Sequence, residues 1–161
     1  MISHLVFLGL GANLGDRRQT LLKAYEEIEK LIGSLVGRSA FYVSEPWGFV
    51  SDNSFLNSVV CCQTNLSPRE VLRATQQIER HLGRKKKSAD GIYHDRPIDI
   101  DILLYDDLCV NEYDLRIPHP LMLQRDFVMR PLVEVMGQLK AHPPVCIFLT
   151  ESSSESSKKK S

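Results

Sequence analysis

Two aspartates stand two residues apart in the apolar stretch 96–104, which reads RPIDIDILL. The alternation predicts a strand in which Asp99 and Asp101 share one face, while the isoleucines and Leu104 fill the other. Adjacent carboxylates repel each other unless a cation lies between them. Mg²⁺ prefers such hard oxygen ligands and is usually bound by one or two carboxylates together with substrate phosphates. This strand therefore predicts magnesium-dependent phosphate chemistry.

Basic residues close to this strand in sequence favour the same chemistry. Arg84 to Lys87 form a continuous basic run, and Arg96 directly precedes the acidic strand. Phosphoryl transfer needs cations that position and neutralise phosphate oxygens. Taken alone, the run would be read as a solvated loop. No GxxxxGK[ST] phosphate loop is present, and the glycine-rich turn expected at 9–15 does not match GxGxxG.

Several residues suit a flat heterocycle. Phe55 and Asn57 share one face of a predicted strand over 55–64, where an aromatic ring could stack on the ligand and an amide could hydrogen-bond to it. Phe127 near Arg125, and His119 between two prolines, indicate a ligand site when they are taken together. None of them indicates one alone. A core Phe beside a polar strand edge is the competing interpretation.

The composition fits a single globular domain. Of 161 residues, 43% are hydrophobic and 25% are charged, and 20 basic residues balance 20 acidic ones. This balance gives no basic footprint for nucleic acid, and no apolar run approaches the length that spans a bilayer. The four cysteines, without CxxC spacing, predict reduced thiols in a cytoplasmic protein. We expect one domain over 1–150 and a disordered tail over 151–161.

The predicted element order is strand, helix, strand, strand, helix, strand. Asp16 is expected to cap the first helix, and Ser67 and Glu70 form a capping box at the second. This order is typical of the ferredoxin-like α+β plan, an antiparallel sheet with both helices on one face. The acidic face of 96–104 would then look out from the other side, covered only by loops, and extra elements would follow C-terminally.

Six short motifs, in order, give the chain a strong resemblance to the 6-hydroxymethyl-7,8-dihydropterin pyrophosphokinase family. The resemblance runs from about residue 5 to residue 149. The motifs are Gly11-Ala12-Asn13-Leu14, Phe55-Leu56-Asn57, Ile78-Glu79 with Gly83-Arg84, Arg96-x-x-Asp99-x-Asp101, Pro118-His119 and Arg125-x-Phe127.

The resemblance implies an ATP-dependent diphosphokinase of folate biosynthesis. ATP and a pterin alcohol would bind together, and the hydroxymethyl oxygen would attack the β-phosphorus, so that pyrophosphate is transferred and AMP leaves. It also implies that Asp99 and Asp101 bind two Mg²⁺ ions and that Arg84 and Arg96 act catalytically on the phosphates. The partners are therefore small molecules, without nucleic acid or membrane.

The resemblance further assigns residues to each substrate. The pterin would stack between two aromatic rings, and ATP would lie on the side of the carboxylates. The pterin-binding residues would be Ser44, Trp47, Phe55, Asn57, Arg125 and Phe127, and the ATP-binding residues Glu79, Lys86, Tyr93, Ile102, Arg116 and His119.

Two other functions compete with this interpretation. A nucleotidyltransferase can also combine a glycine-rich turn with a DxD metal site, but it would transfer AMP and release pyrophosphate. A non-catalytic nucleotide-binding module would bind nucleotide without regard to Mg²⁺. The small product distinguishes all three, because pyrophosphokinase activity yields free AMP.

We expect Arg96→Ala to slow the chemical step more than it weakens binding, because phosphate charge grows most in the transition state. Single-turnover rates and substrate affinities, measured on the same variant, check this. Equal rates in the variant and the unmodified protein would remove Arg96 from the catalytic residues.

Overall fold

The computed structural model describes residues 3–46, 53–83 and 97–140, which form seven strands and three α-helices. A 3₁₀ turn at Met122–Gln124 precedes the last helix. The strands are β1 (His4–Ala12), β2 (Gly33–Arg38), β3 (Tyr42–Ser44), β4 (Phe55–Thr64), β5 (Asp99–Tyr105), β6 (Val110–Glu112) and β7 (Leu115–Ile117), and the helices are α1 (Arg17–Leu31), α2 (Pro68–His81) and α3 (Asp126–Leu139).

These strands and helices form a single α and β unit, and its main sheet is antiparallel. Strands β2, β4, β1 and β5 lie side by side in that order, and β3 pairs with the first residues of β4. Strands β6 and β7 form a separate hairpin. Both predicted helix starts are confirmed, because Asp16 accepts a hydrogen bond from the Gln19 amide and Ser67 forms a capping box with Glu70.

The strand expected over Leu35 to Val43 is divided into β2 and β3. At the break, the Ser39 N–H donates to the Val59 carbonyl at 2.9 Å, but the Val59 N–H donates to the Ser39 hydroxyl at 3.0 Å. A side-chain oxygen thus takes the place of a backbone carbonyl, and the regular ladder stops there.

Apolar side chains pack on both faces of the sheet. Helices α1 and α2 cover one face, with Leu21, Ile28 and Ile78 fully buried against it. Helix α3 covers part of the opposite face, through Leu132 and Val135. The expectation that only loops cover this second face is therefore wrong, because the apolar stripe of the C-terminal helix also needs a sheet to pack on.

Strand β5 alternates as predicted only in its first part. Ile98, Ile100 and Ile102 point into the core beneath α1 and α2. The pairing of β5 with β1 then shifts by one residue, and Leu104 points to the α3 side with Leu103. The prediction for Leu104 is wrong because a bulge places two successive residues on one face.

Cysteines in the described ranges are free. Cys61 and Cys62 point to opposite faces of β4, as predicted, and both are fully buried, whereas Cys109 is exposed. Burial raises the pKa of the Cys61 and Cys62 thiols to about 12. In the described parts of the chain, no helix is both long and apolar enough to cross a membrane.

We expect Cys109 to be alkylated at pH 8 while Cys61 and Cys62 stay protected until the protein unfolds. Since their folded pKa lies above the ordinary 9.0, these thiols should contribute stability below pH 9 that is lost as pH rises towards about 12. Peptide mapping after iodoacetamide treatment, with and without denaturant, checks the order of labelling. Early labelling of Cys61 or Cys62 would contradict the buried placement.

Candidate active site

An open cleft lies on the α3 side of the sheet. Its mixed polar and apolar lining is typical of small-molecule sites. The cleft brings together seven of the residues predicted from the sequence, from four separate parts of the chain. They are Ser44, Phe55, Asn57, Asp99, Asp101, Arg125 and Phe127.

The two aspartates project into this cleft from β5. Both are partly buried, and the Asp101 side chain is 29% exposed. Their shared orientation follows from the alternation along the strand, since the intervening Ile100 points into the core. Carboxylate oxygens on one wall of a cleft are suitable ligands for Mg²⁺.

Glycines separate the aspartates from β4. In the central strand β1, Gly11 lies opposite both Asp99 and Asn57, and Gly9 lies opposite both Asp101 and Val59. A side chain added at Gly11 would meet the Asn57 Oδ1 at 3.1 Å and the Phe55 ring at 3.4 Å. Gly11 therefore leaves room for Asn57 and Phe55 to lie close over β1, and Gly9 does the same for Leu103, whose side chain lies 3.3 Å from where a Cβ would stand.

The structure corrects the interpretation of these glycines as a turn. Gly9 and Gly11 lie inside β1, and Gly15 alone among the three has a positive φ, of 62°. Sequence reasoning missed Gly9 and Gly11 as site residues. Their spacing of two, with Leu10 between them, was the signal, because it places both on one face of a strand.

Asn57 is almost fully buried and oriented by its neighbours. Its side-chain nitrogen donates to the Tyr42 carbonyl at 3.0 Å and to the Ser44 hydroxyl at 2.7 Å. A backbone carbonyl only accepts hydrogen bonds, so the atom facing it must be the amide nitrogen. With both amide hydrogens directed there, the Asn57 Oδ1 beside Gly11 is the atom that can accept from a ligand.

The first turn of α3 supplies the opposite wall. Phe127 is the second residue of the helix, and the guanidinium of Arg125 lies 5.8 Å from the centre of its ring. This distance is typical of a cation–π contact. Arg125 is 9% exposed, so its charge lies largely within the structure beside the cleft.

His119 approaches the acidic strand from the segment before α3. Its Nε2 lies 4.0 Å from the Asp101 Oδ2, and its backbone N–H donates to the Leu103 carbonyl at 3.0 Å. The Leu121 N–H donates to the His119 Nδ1 at 3.2 Å. A neutral imidazole that accepts at Nδ1 carries its proton on Nε2, the atom facing the carboxylate.

Two predicted ATP-binding residues lie beneath β5 and not along the cleft. Glu79 is 2% exposed on α2, where its Oε2 accepts from the Ile100 N–H at 3.1 Å. Ile102 is 6% exposed and packs in the core beneath α1 and α2. Glu79 thus supports the strand at the residue between the two aspartates.

The remaining predicted residues are not brought together by the described structure. Arg116 is exposed on β7. The other five predictions lie outside the described residues, as does the tail over 151–161. These five are Trp47, Arg84, Lys86, Tyr93 and Arg96.

Comparison with known proteins identifies a family and a set of relatives. The profile of 7,8-dihydro-6-hydroxymethylpterin-pyrophosphokinase (HPPK) matches residues 7–137. A 2-amino-4-hydroxy-6-hydroxymethyldihydropteridine pyrophosphokinase of Porphyromonas gingivalis is 50% identical over 141 residues, which cover 87% of this chain and 96% of the relative. The enzyme of that name from Aquifex aeolicus is 42% identical over 130 residues, covering 81% of this chain and 79% of the relative.

A solved structure shares the fold. A crystal structure of an HPPK-DHPS chain in complex with substrates superposes with a TM-score of 0.68 at 14% identity, over 84% of this chain. This chain spans only 40% of that longer one. At such low identity the likeness concerns the fold alone.

We expect Gly11→Ala to weaken binding of a flat heterocycle by about tenfold, because the added methyl group would push the Asn57 Oδ1 out of its place. Titration calorimetry with the pterin alcohol checks this. Gly137→Ala is the matched control, since a methyl group added there on α3 meets nothing within 4 Å. Unchanged affinity in Gly11→Ala would show that the clearance at Gly11 is not needed.

Proposed function

The chain belongs to the 7,8-dihydro-6-hydroxymethylpterin-pyrophosphokinase family, and on this premise we propose how its residues divide the work of the reaction. The protein is an ATP-dependent diphosphokinase of folate biosynthesis that transfers pyrophosphate to the hydroxymethyl group of 6-hydroxymethyl-7,8-dihydropterin and releases AMP. Membership in this family favours neither the nucleotidyltransferase nor the non-catalytic nucleotide-binding module.

One structural observation supports the assignment of the two substrates to different parts of the cleft. The two aspartates of β5 and the ring of Phe55 line a single cleft, with only glycines between them on β1. An acidic wall and an aromatic wall facing the same space can hold a phosphate chain and a heterocycle side by side. Such positioning is the main requirement of phosphoryl transfer.

The pterin ring is assigned to the aromatic end. It stacks between Phe55 and Phe127, and the Asn57 Oδ1 accepts a hydrogen bond from the amino or ring N–H edge of the pterin. Ser44 supports Asn57 and borders the same end of the cleft, and Arg125 borders Phe127. Trp47, outside the described residues, completes the proposed set.

The triphosphate is assigned to the acidic end, where the residues fit Mg²⁺. Asp99 and Asp101 offer oxygen ligands on one wall, and in 3–46, 53–83 and 97–140 no group of three or more His, Cys, Asp or Glu could hold a metal. Two ions on this pair would therefore take their other ligands from ATP oxygens and water. Bound Mg²⁺ supplies charge neutralisation to the triphosphate.

In the reaction, the pterin hydroxymethyl oxygen forms a bond to the β-phosphorus. The bond from that phosphorus to the oxygen bridging the α-phosphate breaks, AMP leaves with this oxygen, and the hydroxyl proton is released. The cleft walls hold the two reactants in line, which replaces a bimolecular encounter with a positioned one. His119, with its Nε2 proton beside Asp101, can donate to a phosphate oxygen there.

Further residues complete the proposal. Arg84 and Arg96 would stabilise the phosphate charge, and Lys86, Tyr93 and Arg116 would bind the nucleotide. Glu79 and Ile102 would contribute to the ATP side only through β5, which they support from the core, Glu79 by accepting from the Ile100 N–H. The strand order β2-β4-β1-β5, with α1 and α2 on one face, supports a ferredoxin-like arrangement as the frame of this site.

We expect AMP to form only when ATP, Mg²⁺ and 6-hydroxymethyl-7,8-dihydropterin are all present. Asp99→Asn and Asp101→Asn should each lower turnover by at least about 100-fold, because each replaces a charged oxygen ligand of the proposed Mg²⁺ site with a neutral amide. Coupled AMP detection, with the pterin product identified by mass spectrometry, checks both.

Asp107→Asn is the matched control, because Asp107 is exposed beyond the end of β5 and away from the cleft. It should leave turnover unchanged. AMP formed without pterin, or ADP as the product, would refute the proposed function. Full turnover in both cleft variants would refute the metal assignment alone.

A further inference from the structure

Two hydrogen bonds accepted by Glu134, from the Ala40 N–H and the Tyr42 hydroxyl, join α3 to the break between β2 and β3. We call this arrangement the clamp. One oxygen of the Glu134 carboxylate accepts from the Ala40 N–H at 3.0 Å, and the other accepts from the Tyr42 hydroxyl at 2.6 Å. The hydrogen bond to this carboxylate raises the pKa of the Tyr42 phenol above its usual 10.0, so the phenol remains a donor. Both carboxylate oxygens therefore bind one short segment of chain.

The clamp continues to the floor of the cleft through Tyr42. The Tyr42 carbonyl accepts from the Asn57 side-chain nitrogen at 3.0 Å, and the same nitrogen donates to the Ser44 hydroxyl at 2.7 Å. A movement of the Tyr42 backbone would therefore rotate or displace the Asn57 amide. Hydrogen bonds thus connect Glu134 on α3 to Asn57 on β4, through Tyr42.

The helix transmits the same constraint to the other wall. Phe127 and Glu134 are seven residues apart on α3, so they lie about two turns apart on the same side of the helix. Phe127 lines the cleft in the first turn, and Glu134 holds the second half of the helix against β3. The position of α3 relative to β3 and β4 therefore sets the gap between Phe127 and Phe55.

We propose that Glu134 and Tyr42 are positioning residues for the pterin end of the cleft. They touch neither substrate; they hold the aromatic walls at the separation of a stacked ring and keep the Asn57 oxygen pointing at it. This inference rests on the proposed function, because it assumes that the pterin occupies this end. The acidic end depends on β5 and His119, so the clamp should not affect ATP.

The test compares pterin and ATP kinetics in clamp variants. Tyr42→Phe removes one hydroxyl and keeps the ring, and Glu134→Ala removes both acceptors. Each should raise the KM for the pterin and its Kd by about tenfold, the factor that corresponds to one hydrogen bond to a charged group. The KM for ATP should stay within about twofold, because the acidic end is unchanged.

The double variant should raise the pterin Kd little more than Glu134→Ala does alone. The Tyr42 hydroxyl acts through its hydrogen bond to Glu134, so its removal should add little once the carboxylate is gone. Independent, multiplying effects would contradict a single clamp. Tyr42→Phe alone keeps the inference testable if Glu134→Ala does not fold.

Gln138 provides a matched control one turn further along α3. Its side chain accepts from the Arg38 N–H at 3.3 Å and donates to the Arg38 carbonyl at 2.9 Å, so it also ties α3 to the sheet edge. Within the described residues, no side-chain hydrogen bonds connect Gln138 to Asn57. Gln138→Ala should lower the melting temperature slightly and leave the pterin Kd unchanged.

The outcomes separate this inference from the proposed function. If the unmodified protein forms no AMP, the proposed function fails. If it forms AMP but Tyr42→Phe and Glu134→Ala bind pterin normally, the positioning role alone fails. Equal losses of pterin and ATP affinity, or a loss in Gln138→Ala matching theirs, would reveal general destabilisation and also overturn it.

Discussion

The site depends on a strip of sheet without side chains. On β1, Gly9 and Gly11 lie between the aspartates of β5 and the first residues of β4. Any larger residue at Gly11 would fill the space above the strand and press on Asn57. Because neither glycine carries a side chain, Asn57, Phe55 and Leu103 can lie close over β1. Two chemically different walls then face one cleft, and a charged chain can lie next to a flat ring. The central strand β1 is thus important to the site because Gly9 and Gly11 carry no side chains.

Burial on the other face of the same strands holds these walls in place. Ile100, between the aspartates, points into the core beneath α1 and α2, and its N–H donates to the buried Glu79 carboxylate at 3.1 Å. Because these contacts hold β5 on its core face, the strand can keep the two repelling carboxylates side by side, where they can bind a cation. Helix α3 contributes differently, because it packs on the cleft face and brings Phe127 to the site.

Much of this arrangement could be predicted from local pattern. Alternation predicted the face shared by Asp99 and Asp101, and spacing predicted that Phe55 and Asn57 lie together. Pattern could not predict the bulge that turns Leu104 to the α3 side, because pairing with β1 decides it. Long-range packing decides such features, and a single sequence carries no direct record of it.

The central claim is that the acidic and aromatic walls hold the two substrates in one cleft. Its most direct test is a crystal structure with Mg²⁺, the pterin alcohol and an ATP analogue whose α–β bridging oxygen is replaced by a methylene group, which prevents transfer. The expected result is a pterin ring between Phe55 and Phe127, hydrogen-bonded to the Asn57 oxygen, and Mg²⁺ on Asp99 and Asp101 within reach of the β-phosphate. A pterin bound elsewhere, or a triphosphate without metal contact to these aspartates, would contradict it.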